Sequence, residues 1–306
     1  VITQSFTFVA TVESIVEARA IPVCTEIDDT LNMCPIDLEK KINKNTRAVI
    51  VVHMLGVPAK MSEIKKICKK NKIILIEDTA WGCGAKLNNK YLGTIGDIGA
   101  FSFDFAKTIT TGEGGMISFK SKKLFDLAKA WHDHGHENNP KLPRWEDSRK
   151  SSGFNFRMTE MQGAVGIAQL KKLNYIVKNQ RKIYDYIWSK IKYLPQIQKR
   201  SYPKNSYISA DALIFLVNNN HRAKRCREEL IKNKMSTKIL PEAFTWHFAG
   251  EWDHIKQLKI KHRNLRTAFP KSRKIIKRAV SIPINLKTSI LKLNTISKSI
   301  IEALKI

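Results

Sequence analysis

The chain has 306 residues with an apolar fraction of 43%, enough for one large domain with a buried core and a second, smaller one. Its longest apolar runs, such as residues 73–76, are far shorter than the ~20 residues that cross a bilayer, so no membrane-spanning helix is predicted. Five scattered cysteines without a CxxC pair argue against a disulfide framework or a zinc ribbon, and they fit a reducing cytoplasm.

The net charge of +27 is unevenly distributed, with +4 over residues 1–150 and +23 over residues 151–306. Such asymmetry is found in proteins that contact nucleic acids or membrane surfaces. A compositional cause is favoured here, because Lys, Ile and Asn are abundant throughout the chain, as an AT-rich genome would produce. A basic field also suits an anionic substrate. We therefore predict neither a nucleic-acid partner nor membrane insertion.

Residues 1–8 already have the pattern of a strand and the turn after it. They contain no initiating Met, basic region or apolar stretch of the kind that marks a signal peptide. Because a domain seldom begins inside its core, we expect a segment upstream of Val1 to be missing.

In the first half, short apolar strands alternate with amphipathic helices. Strands are predicted at residues 48–52, 73–76, 99–103 and 116–119, and helices at 61–71 and 122–131. Continuous apolar strands separated by helices predict an α/β fold, with a mostly parallel sheet covered by helices on both faces. Ligands in such folds bind outside the carboxyl ends of the strands.

The composition changes after the middle of the chain. A long helix is predicted over about residues 159–189, with a break near Asn174. Beyond about residue 195 the chain is Lys-rich, with a strand near 212–217 and helices near 223–233 and 288–306. We predict two domains: a large one over residues 1–190, and a smaller C-terminal α/β domain over residues 191–306.

Two chemically distinctive residues follow predicted strands, where a parallel sheet presents its ligands. Asp78 can bind a metal, a ribose or a protonated ring nitrogen there, or cap the following helix. Lys107 lies among aromatic and small residues, where desolvation lowers the pKa of the amine and favours the neutral form that makes a Schiff base. An ordinary surface lysine is the alternative. Ser102, five residues earlier, can offer its hydroxyl to a phosphate.

Two more motifs follow along the chain. The glycine-rich run at residues 112–115 lets the backbone approach a ligand, or forms a plain hairpin turn, and it matches neither a Walker A nor a GxGxxG motif. In GFNFRMTE (residues 153–160), Thr159 is the predicted N-cap of a helix and Gln162 completes a capping box. Asn155 and Arg157 then lie just before a helix N-terminus, a favoured place to meet an anion.

The chain resembles the DegT/DnrJ/StrS-type sugar aminotransferases, which depend on pyridoxal phosphate (PLP). The resemblance is strongest in EDTAWGCGAKLNNKYLGTIGDIGAFSFDFAKTITTGEGGMI (residues 77–117). TFVATVESIVEARAIPV (residues 7–23) and GFNFRMTEMQGAVGIAQL (residues 153–170) match other family blocks in the expected order. Residues 268–284 resemble the family's C-terminal block. The resemblance implies PLP fold type I, which is the aspartate-aminotransferase fold.

The resemblance also implies roles for individual residues. Lys107 matches the lysine that carries the cofactor as a Schiff base, and Asp78 matches the aspartate paired with the pyridine nitrogen. Phe8 matches the aromatic residue stacked on the cofactor ring, and Ser102 matches a phosphate-binding serine. Asn155 matches the asparagine that reaches the phosphate of the neighbouring subunit, which implies a homodimer with shared active sites.

Two features depart from the family pattern. Family members usually have Gln or His three residues after the aspartate, near the cofactor hydroxyl, whereas this chain has Trp81. The family's Gly-Thr/Ser phosphate-binding turn lies upstream of Val1. Trp81 puts in question how the protein adjusts the electronic properties of the cofactor. The position of the phosphate-binding turn upstream of Val1 affects the affinity for the cofactor phosphate.

The resemblance also points to a substrate class. SFDFAKTITTGEGG (residues 102–115), the histidine run at residues 132–136 and residues 155–173 are most similar to transaminases that form 8-amino-3,8-dideoxy-manno-octulosonate for lipopolysaccharide, with glutamate as amino donor. Nucleotide-linked ketosugars are the alternative substrates. His134, Trp246 and His247 are candidate substrate contacts, although the last two can equally belong to a packed helix. The histidine run can also suggest a metal, but we predict none.

Two rival functions remain. A PLP-dependent sugar dehydratase of the same fold would replace the Schiff-base lysine with His, so Lys107 argues against it. A non-catalytic basic binding protein would use residues 195–306, where no aromatic–basic interleaving of a known binding module occurs.

Overall fold

The computed structural model describes residues 1–236, 240 and 244–305. Twelve strands are present in these residues, most of them short. In chain order they are β1 (Ile2–Gln4), β2 (Val23–Thr25), β3 (Ala48–Val52), β4 (Ile74–Asp78), β5 (Lys86–Leu87), β6 (Lys90–Tyr91), β7 (Ile98–Ser102), β8 (Gly115–Phe119), β9 (Ile197–Lys199), β10 (Ser206–Tyr207), β11 (Ala212–Val217) and β12 (Ala279–Pro283).

The helices are longest in the second half of the chain. Within the described residues they are α1 (Val9–Glu17), α2 (Pro35–Lys41), α3 (Met61–Lys70), α4 (Lys122–Trp131), α5 (Glu160–Leu170), α6 (Leu173–Ile191), α7 (Asn220–Lys232), α8 (Phe244–His247), α9 (Lys256–Lys259), α10 (Leu265–Ala268), α11 (Pro270–Ile276) and α12 (Ile290–Leu304).

A six-stranded sheet with the order β2-β1-β3-β4-β7-β8 forms the centre of the first half. Its strands are parallel except β8, which runs antiparallel to β7. The chain joins β7 to β8 without a helix, so no crossover forms and the second strand has to return antiparallel. The predicted α/β fold with a mostly parallel sheet is confirmed, and β8 is its antiparallel edge.

Most of the predicted elements form where the sequence pattern puts them. The helix predicted at 122–131 coincides with α4, and α3 buries Ile64 and Cys68 on one face. The long helix predicted over 159–189 is two helices, since α5 ends at Leu170 and α6 begins at Leu173. Thr159 caps α5 with Gln162 in a capping box, as predicted.

A three-stranded antiparallel sheet with the order β12-β11-β9 lies in the second half. All six residues of β11 are buried, and the helices α6, α7 and α12 pack around this sheet in one apolar cluster. Tyr184, Ile187 and Ile191 of α6 belong to that cluster. The division into domains over residues 1–190 and 191–306 stays a prediction, and α6 straddles the proposed boundary.

The segment from residue 131 to 170 carries an apolar surface that is open to solvent. None of the α5 residues is buried, and Met161 is 79% exposed. We call this surface the outer face. Its large exposed apolar side chains are Trp131, Leu142, Trp145, Phe154, Phe156, Met158, Met161, Val165, Ile167 and Leu170.

Within residues 1–236, 240 and 244–305, every helix is too short or too polar to span a lipid bilayer.

Candidate active site

Three of the predicted site residues follow the carboxyl ends of parallel strands. Phe8 comes after β1, Asp78 is the last residue of β4, and Lys107 lies five residues after β7. Because β4 and β7 are neighbours in the sheet, their carboxyl ends present Asp78 and Lys107 at the same edge. All three residues line one cavity of about 890 Å³. Ser102, Trp81, Trp246 and His247 also line it.

Both carboxylate oxygens of Asp78 are engaged by neighbouring groups. Oδ2 accepts a hydrogen bond from the Thr11 hydroxyl at 2.8 Å, and Oδ1 accepts one from the Ala80 amide at 3.1 Å. The hydroxyls of Thr7 and Thr11 lie 2.8 Å apart, which extends the chain of hydrogen bonds into the core. Sequence reasoning missed both threonines. Thr7 precedes the motif residue Phe8 and Thr11 follows it by three positions, but nothing in their local pattern indicates a partner on β4.

The preceding residue, Glu77, is fully buried on the other face of β4. It accepts hydrogen bonds from the amides of Gly93, Ile95 and Gly96 and lies 2.9 Å from His53 Nε2. Burial alone would raise the pKa of Glu77, but the bonds from His53 and the two glycine amides outweigh it and lower that pKa below its ordinary value. Since His53 Nδ1 accepts from the Ala59 amide, its Nε2 carries the proton donated to Glu77.

The turn held by Glu77 is also in close contact with β7. A Cβ placed on Gly99 would lie 2.0 Å from the Gly93 carbonyl oxygen, and one placed on Gly93 would lie 2.3 Å from the Phe101 ring. Gly93 has a positive φ of 86°, which side-chain-bearing residues rarely adopt. These contacts tie the turn to the strand that leads to Lys107.

Lys107 is presented by a tight turn directly after β7. Its amide donates to the Asp104 carbonyl at 3.1 Å, and the Ala106 amide donates to Asp104 Oδ1 at 2.9 Å. The Nζ atom lies 3.9 Å from the centroid of the Trp81 ring. Ser102 Oγ accepts from the Asp104 amide at 3.4 Å, so its hydroxyl can still donate a proton to a ligand.

The glycine-rich run at residues 112–115 connects β7 to the antiparallel strand β8. Gly112 and Gly114 have φ values of 83° and 151°, and the Thr111 amide donates to the Phe103 carbonyl. The run therefore forms the end of the connection over residues 103–114 and the first residue of β8. It is not among the residues that line the cavity.

The opposite wall of the cavity comes from a distant part of the chain. The rings of Phe8 and His247 are 5.4 Å apart, and the Thr7 amide donates to the His247 carbonyl at 3.0 Å. His247 is buried, whereas Trp246 is 66% exposed at the cavity. Residues more than two hundred positions apart therefore share this wall.

Two predicted site residues lie outside this cavity. Asn155 is exposed and accepts a hydrogen bond from the Arg157 amide at 3.3 Å. His134 is exposed too, and its amide donates to the Phe154 carbonyl. Both belong to the segment that carries the outer face. Their roles stay predictions. Because neither residue lines the cavity of its own chain, each would have to act at the cofactor site of another subunit.

The other histidines of the run have separate partners. His136 Nδ1 lies 3.2 Å from Asp147, and His132 Nδ1 contacts the Lys129 carbonyl. Asp133 accepts from the guanidinium groups of Arg144 and Arg157, which hold the pKa of its carboxyl well below the ordinary range. In the part of the chain that the structure describes, no group of three or more His, Cys, Asp or Glu could hold a metal ion.

The sequence profile of the DegT/DnrJ/EryC1/StrS aminotransferase family matches residues 1–301. The chain belongs to this family. The predicted family is confirmed, and with it the predicted fold, the class of PLP-dependent transaminase and the cofactor.

The relatives of this DegT/DnrJ/EryC1/StrS family member include named sugar-modifying enzymes. It is 30% identical over 285 residues to GDP-perosamine synthase from Vibrio cholerae, an alignment that covers 92% of this chain and 74% of that protein. It is 37% identical over 202 residues to GDP-perosamine synthase from Escherichia coli O157:H7, covering 66% of this chain and 54% of that protein. The aligned part is thus between about half and three quarters of these relatives.

A solved structure has the same fold. Helicobacter pylori PseC, described as an aminotransferase involved in the biosynthesis of pseudoaminic acid, superposes with a TM-score of 0.86 at 24% identity, covering 99% of this chain and 79% of that chain.

The cavity of this aminotransferase fits the family's cofactor. A planar pyridine ring needs a flat apolar wall, an anion near its protonated nitrogen and an amine near its aldehyde carbon. Phe8 offers an exposed ring face, Asp78 a carboxylate fixed by two hydrogen bonds, and Lys107 a primary amine, all in one cavity with an apolar lining of Ile50, Val52 and Ile76. The donor set is therefore suitable for PLP.

Proposed function

We propose that this protein transfers an amino group from glutamate to a keto or aldehyde sugar, as a step in the biosynthesis of lipopolysaccharide or another cell-surface glycan. The observation that carries the proposal is the shared cavity of Lys107, Asp78 and Phe8 at the carboxyl edge of the sheet. A cytoplasmic location follows from the proposed pathway, whose sugar precursors are made there.

Each site residue has a proposed role toward the cofactor. Lys107 would hold it through its amine, Asp78 would pair with the ring nitrogen, and Phe8 would stack on the ring. Ser102 would bind the phosphate, and Trp81 would lie near the ring hydroxyl. When bound, PLP supplies the electron sink that makes the carbon-bound proton of an amino acid acidic.

Asp78 keeps the ring nitrogen protonated in this proposal. One such ion pair at ~4 Å contributes on the order of 4 kcal/mol at an effective dielectric constant of 20. The bonds from Thr11 and Ala80 fix the carboxylate in one orientation, so little reorganisation is needed when charge develops.

Lys107 carries the proton between carbon atoms. With the cofactor bound, the free amine of Lys107 would take the α-proton of the amino donor at Nζ and later return a proton from the same atom. The turn around Asp104 fixes the backbone of Lys107 at the edge of the cavity.

The proposed sugar substrate is an anionic sugar acid of the 8-amino-3,8-dideoxy-manno-octulosonate type. The similarity of residues 102–115 to that class of transaminase and the net charge of +27 support it. A nucleotide-linked ketosugar is the second candidate, supported by the names of the two GDP-perosamine synthases. Trp246 and His247 are the proposed sugar contacts within the chain, and His134 is proposed as a contact from a second subunit.

The proposed assembly is a homodimer with shared active sites. Two observations support it: Asn155 and His134 do not line the cavity of their own chain, and the outer face around them is apolar and exposed. A groove of about 630 Å³ lies between α5 and the β7–β8 hairpin, lined by side chains such as Met116, Met158 and Ile167. Exposed apolar surface of this kind marks interaction sites.

The test begins with borohydride reduction of the protein supplied with PLP. We expect the cofactor to become fixed to Lys107, located by peptide mass spectrometry, and Lys107→Ala to remain unlabelled and inactive. Adding glutamate to the wild type should convert the bound cofactor to pyridoxamine phosphate, seen as loss of the yellow absorbance. A protein that stays colourless with PLP, or is labelled at another lysine, would contradict the proposal.

The loaded pyridoxamine form then separates the remaining alternatives. Return of the yellow absorbance with an 8-oxo sugar acid supports the first substrate, and return with a nucleotide-linked ketosugar supports the second. A sugar dehydratase would instead release ammonia or water from the sugar without needing glutamate. A basic binding module would bind nucleic acid in a salt-sensitive way that survives Lys107→Ala.

A further inference from the structure

Trp81 and Lys107 form a close cation–aromatic pair inside the cavity. The Nζ atom lies 3.9 Å from the ring centroid, and the two residues come from different strands, three residues after β4 and five residues after β7. Both side chains line the cavity, and both are only partly exposed to solvent. Tryptophan is the strongest aromatic partner of an ammonium group, and the attraction grows when water is excluded.

We propose that Trp81 is a positioning residue whose indole face holds the Lys107 side chain over the cavity when its amine is not bonded to the cofactor, and stabilises it in the protonated state. This inference rests on the proposed function, in which Lys107 is alternately attached to the cofactor and free. It gives a role to the residue at which the chain departs from the Gln or His usual in its family.

The charge on Lys107 explains why a ring is suitable in this place. Nζ becomes positive when it takes the α-proton of the amino donor, and it returns to a neutral amine when it gives a proton back. The indole ring stabilises the positive state through its quadrupole and makes no bond that must break when Nζ moves. Trp81 therefore holds Lys107 Nζ near the cavity and still allows it to move.

Other titratable groups line the same cavity as Lys107 and must be held constant. Asp78, Asp104, His247 and the amino group of Val1 line the same cavity. Substitutions at Trp81 leave all four in place, so a comparison of Trp81 variants isolates the contribution of the ring.

The test measures the pH dependence of Lys107 modification in the cofactor-free protein. Trinitrobenzenesulfonate reacts only with neutral amines, and peptide mass spectrometry gives the rate at each lysine. We expect the pH midpoint at Lys107 to fall by about 0.4 to 1.5 units in Trp81→Leu and Trp81→Gln, because the ammonium loses its aromatic partner. Trp81→Phe, which keeps a ring, should show less than half of that shift.

Lys86 is the control within every sample. Its Nζ lies 4.3 Å from the Tyr91 ring, in a similar contact at a different place, so its midpoint should stay unchanged in all Trp81 variants. If Trp81→Leu does not fold, judged by circular dichroism and by a shifted Lys86 midpoint, Trp81→Gln supplies the comparison. Equal Lys107 midpoints in the wild type and in a folded ringless variant overturn the proposal.

Borohydride labelling of the same variants keeps the two proposals distinguishable. A label at Lys107 together with an unchanged midpoint rejects only the role of Trp81. An unlabelled wild type rejects the PLP-based function, whatever the midpoints are.

Discussion

The cavity at the sheet edge and the outer face differ in how their functional side chains are held. In the cavity, Asp78 accepts hydrogen bonds from Thr11 and Ala80. Glu77, which precedes it, accepts hydrogen bonds from the amides of Gly93 and Gly96. On the outer face, Asn155 and His134 are exposed among uncovered aromatic side chains. Both regions contain specific sequence motifs, so a motif alone does not tell whether its partners lie in the same chain.

The largest expected effect comes from mixing two inactive variants. Lys107→Ala lacks the amine, and Asn155→Ala lacks the residue proposed to act in the partner's site. If active sites are shared, a mixed dimer contains one intact site. Co-refolding equal amounts should then restore about a quarter of the wild-type activity from two nearly inactive preparations, because half of the dimers are mixed and each has one working site.

The mixing experiment can also contradict the proposal that the outer face completes the active site of a partner subunit. Mixing Lys107→Ala with Asp78→Asn is the control, because both residues line the cavity of the same chain. Each site of a mixed dimer then keeps one damaged residue, so this mixture should restore no activity. Activity in that mixture at the level of the inactive variants, with recovery absent for Asn155→Ala as well, would mean that the outer face does not complete a partner's site.

A single substitution tests the cavity itself. Asp78→Asn should lower kcat for the glutamate half-reaction by about two to three orders of magnitude, since the ion pair contributes up to about 4 kcal/mol. Stopped-flow absorbance measures this rate. Asp104→Asn is the matched control, because Asp104 lines the same cavity and Asn keeps an acceptor for the Ala106 amide. Similar losses in both variants would contradict a special role for Asp78.

Glu77 tests whether the rigidity of the cavity depends on the turn behind it. Glu77→Ala leaves His53 and three amides without their acceptor, and we expect a loss of about 3–5 kcal/mol in the free energy of unfolding. Urea denaturation at pH 7 measures it. Glu77→Gln keeps one acceptor oxygen and should lose less.

The free energy of unfolding at low pH provides a second test of Glu77. Because its folded-state pKa is below the ordinary 4.5, its stabilisation is present above that pH and is lost as the pH falls through the folded value. The difference in unfolding free energy between wild type and Glu77→Gln should therefore be constant above about pH 5 and shrink below about pH 4. A difference that does not change with pH would show that Glu77 is not ionised in the fold.

The smallest effect is expected at Thr11. Thr11→Val removes the hydroxyl that donates to Asp78 while keeping the shape of the side chain. We expect kcat to fall about threefold to tenfold, which corresponds to about 0.7–1.4 kcal/mol and lies within the range of one typical hydrogen bond. Thr11→Ser keeps the hydroxyl and should stay close to wild type, and a Ser variant as slow as the Val variant would point to packing.

The sequence predicted those parts of the fold and site that depend on local pattern. The strand β3 and the helix α4 follow from runs of apolar residues, and Asp78 and Lys107 follow from the rule that ligands meet strand ends. Thr11 and His247 acquire their contacts only when the chain folds, because their partners are distant in sequence. The antiparallel direction of β8 depends on the connection before it.

The contact between Gly93 and Gly99 has a consequence for engineering. A side chain at Gly99 would meet the Gly93 backbone and one at Gly93 would meet the Phe101 ring, so we expect substitutions at either position to destabilise the fold rather than alter specificity. A library aimed at new acceptors should keep both glycines and vary Trp246, which borders the cavity with two thirds of its surface in solvent. Substrate range and folding competence can then be screened as separate traits.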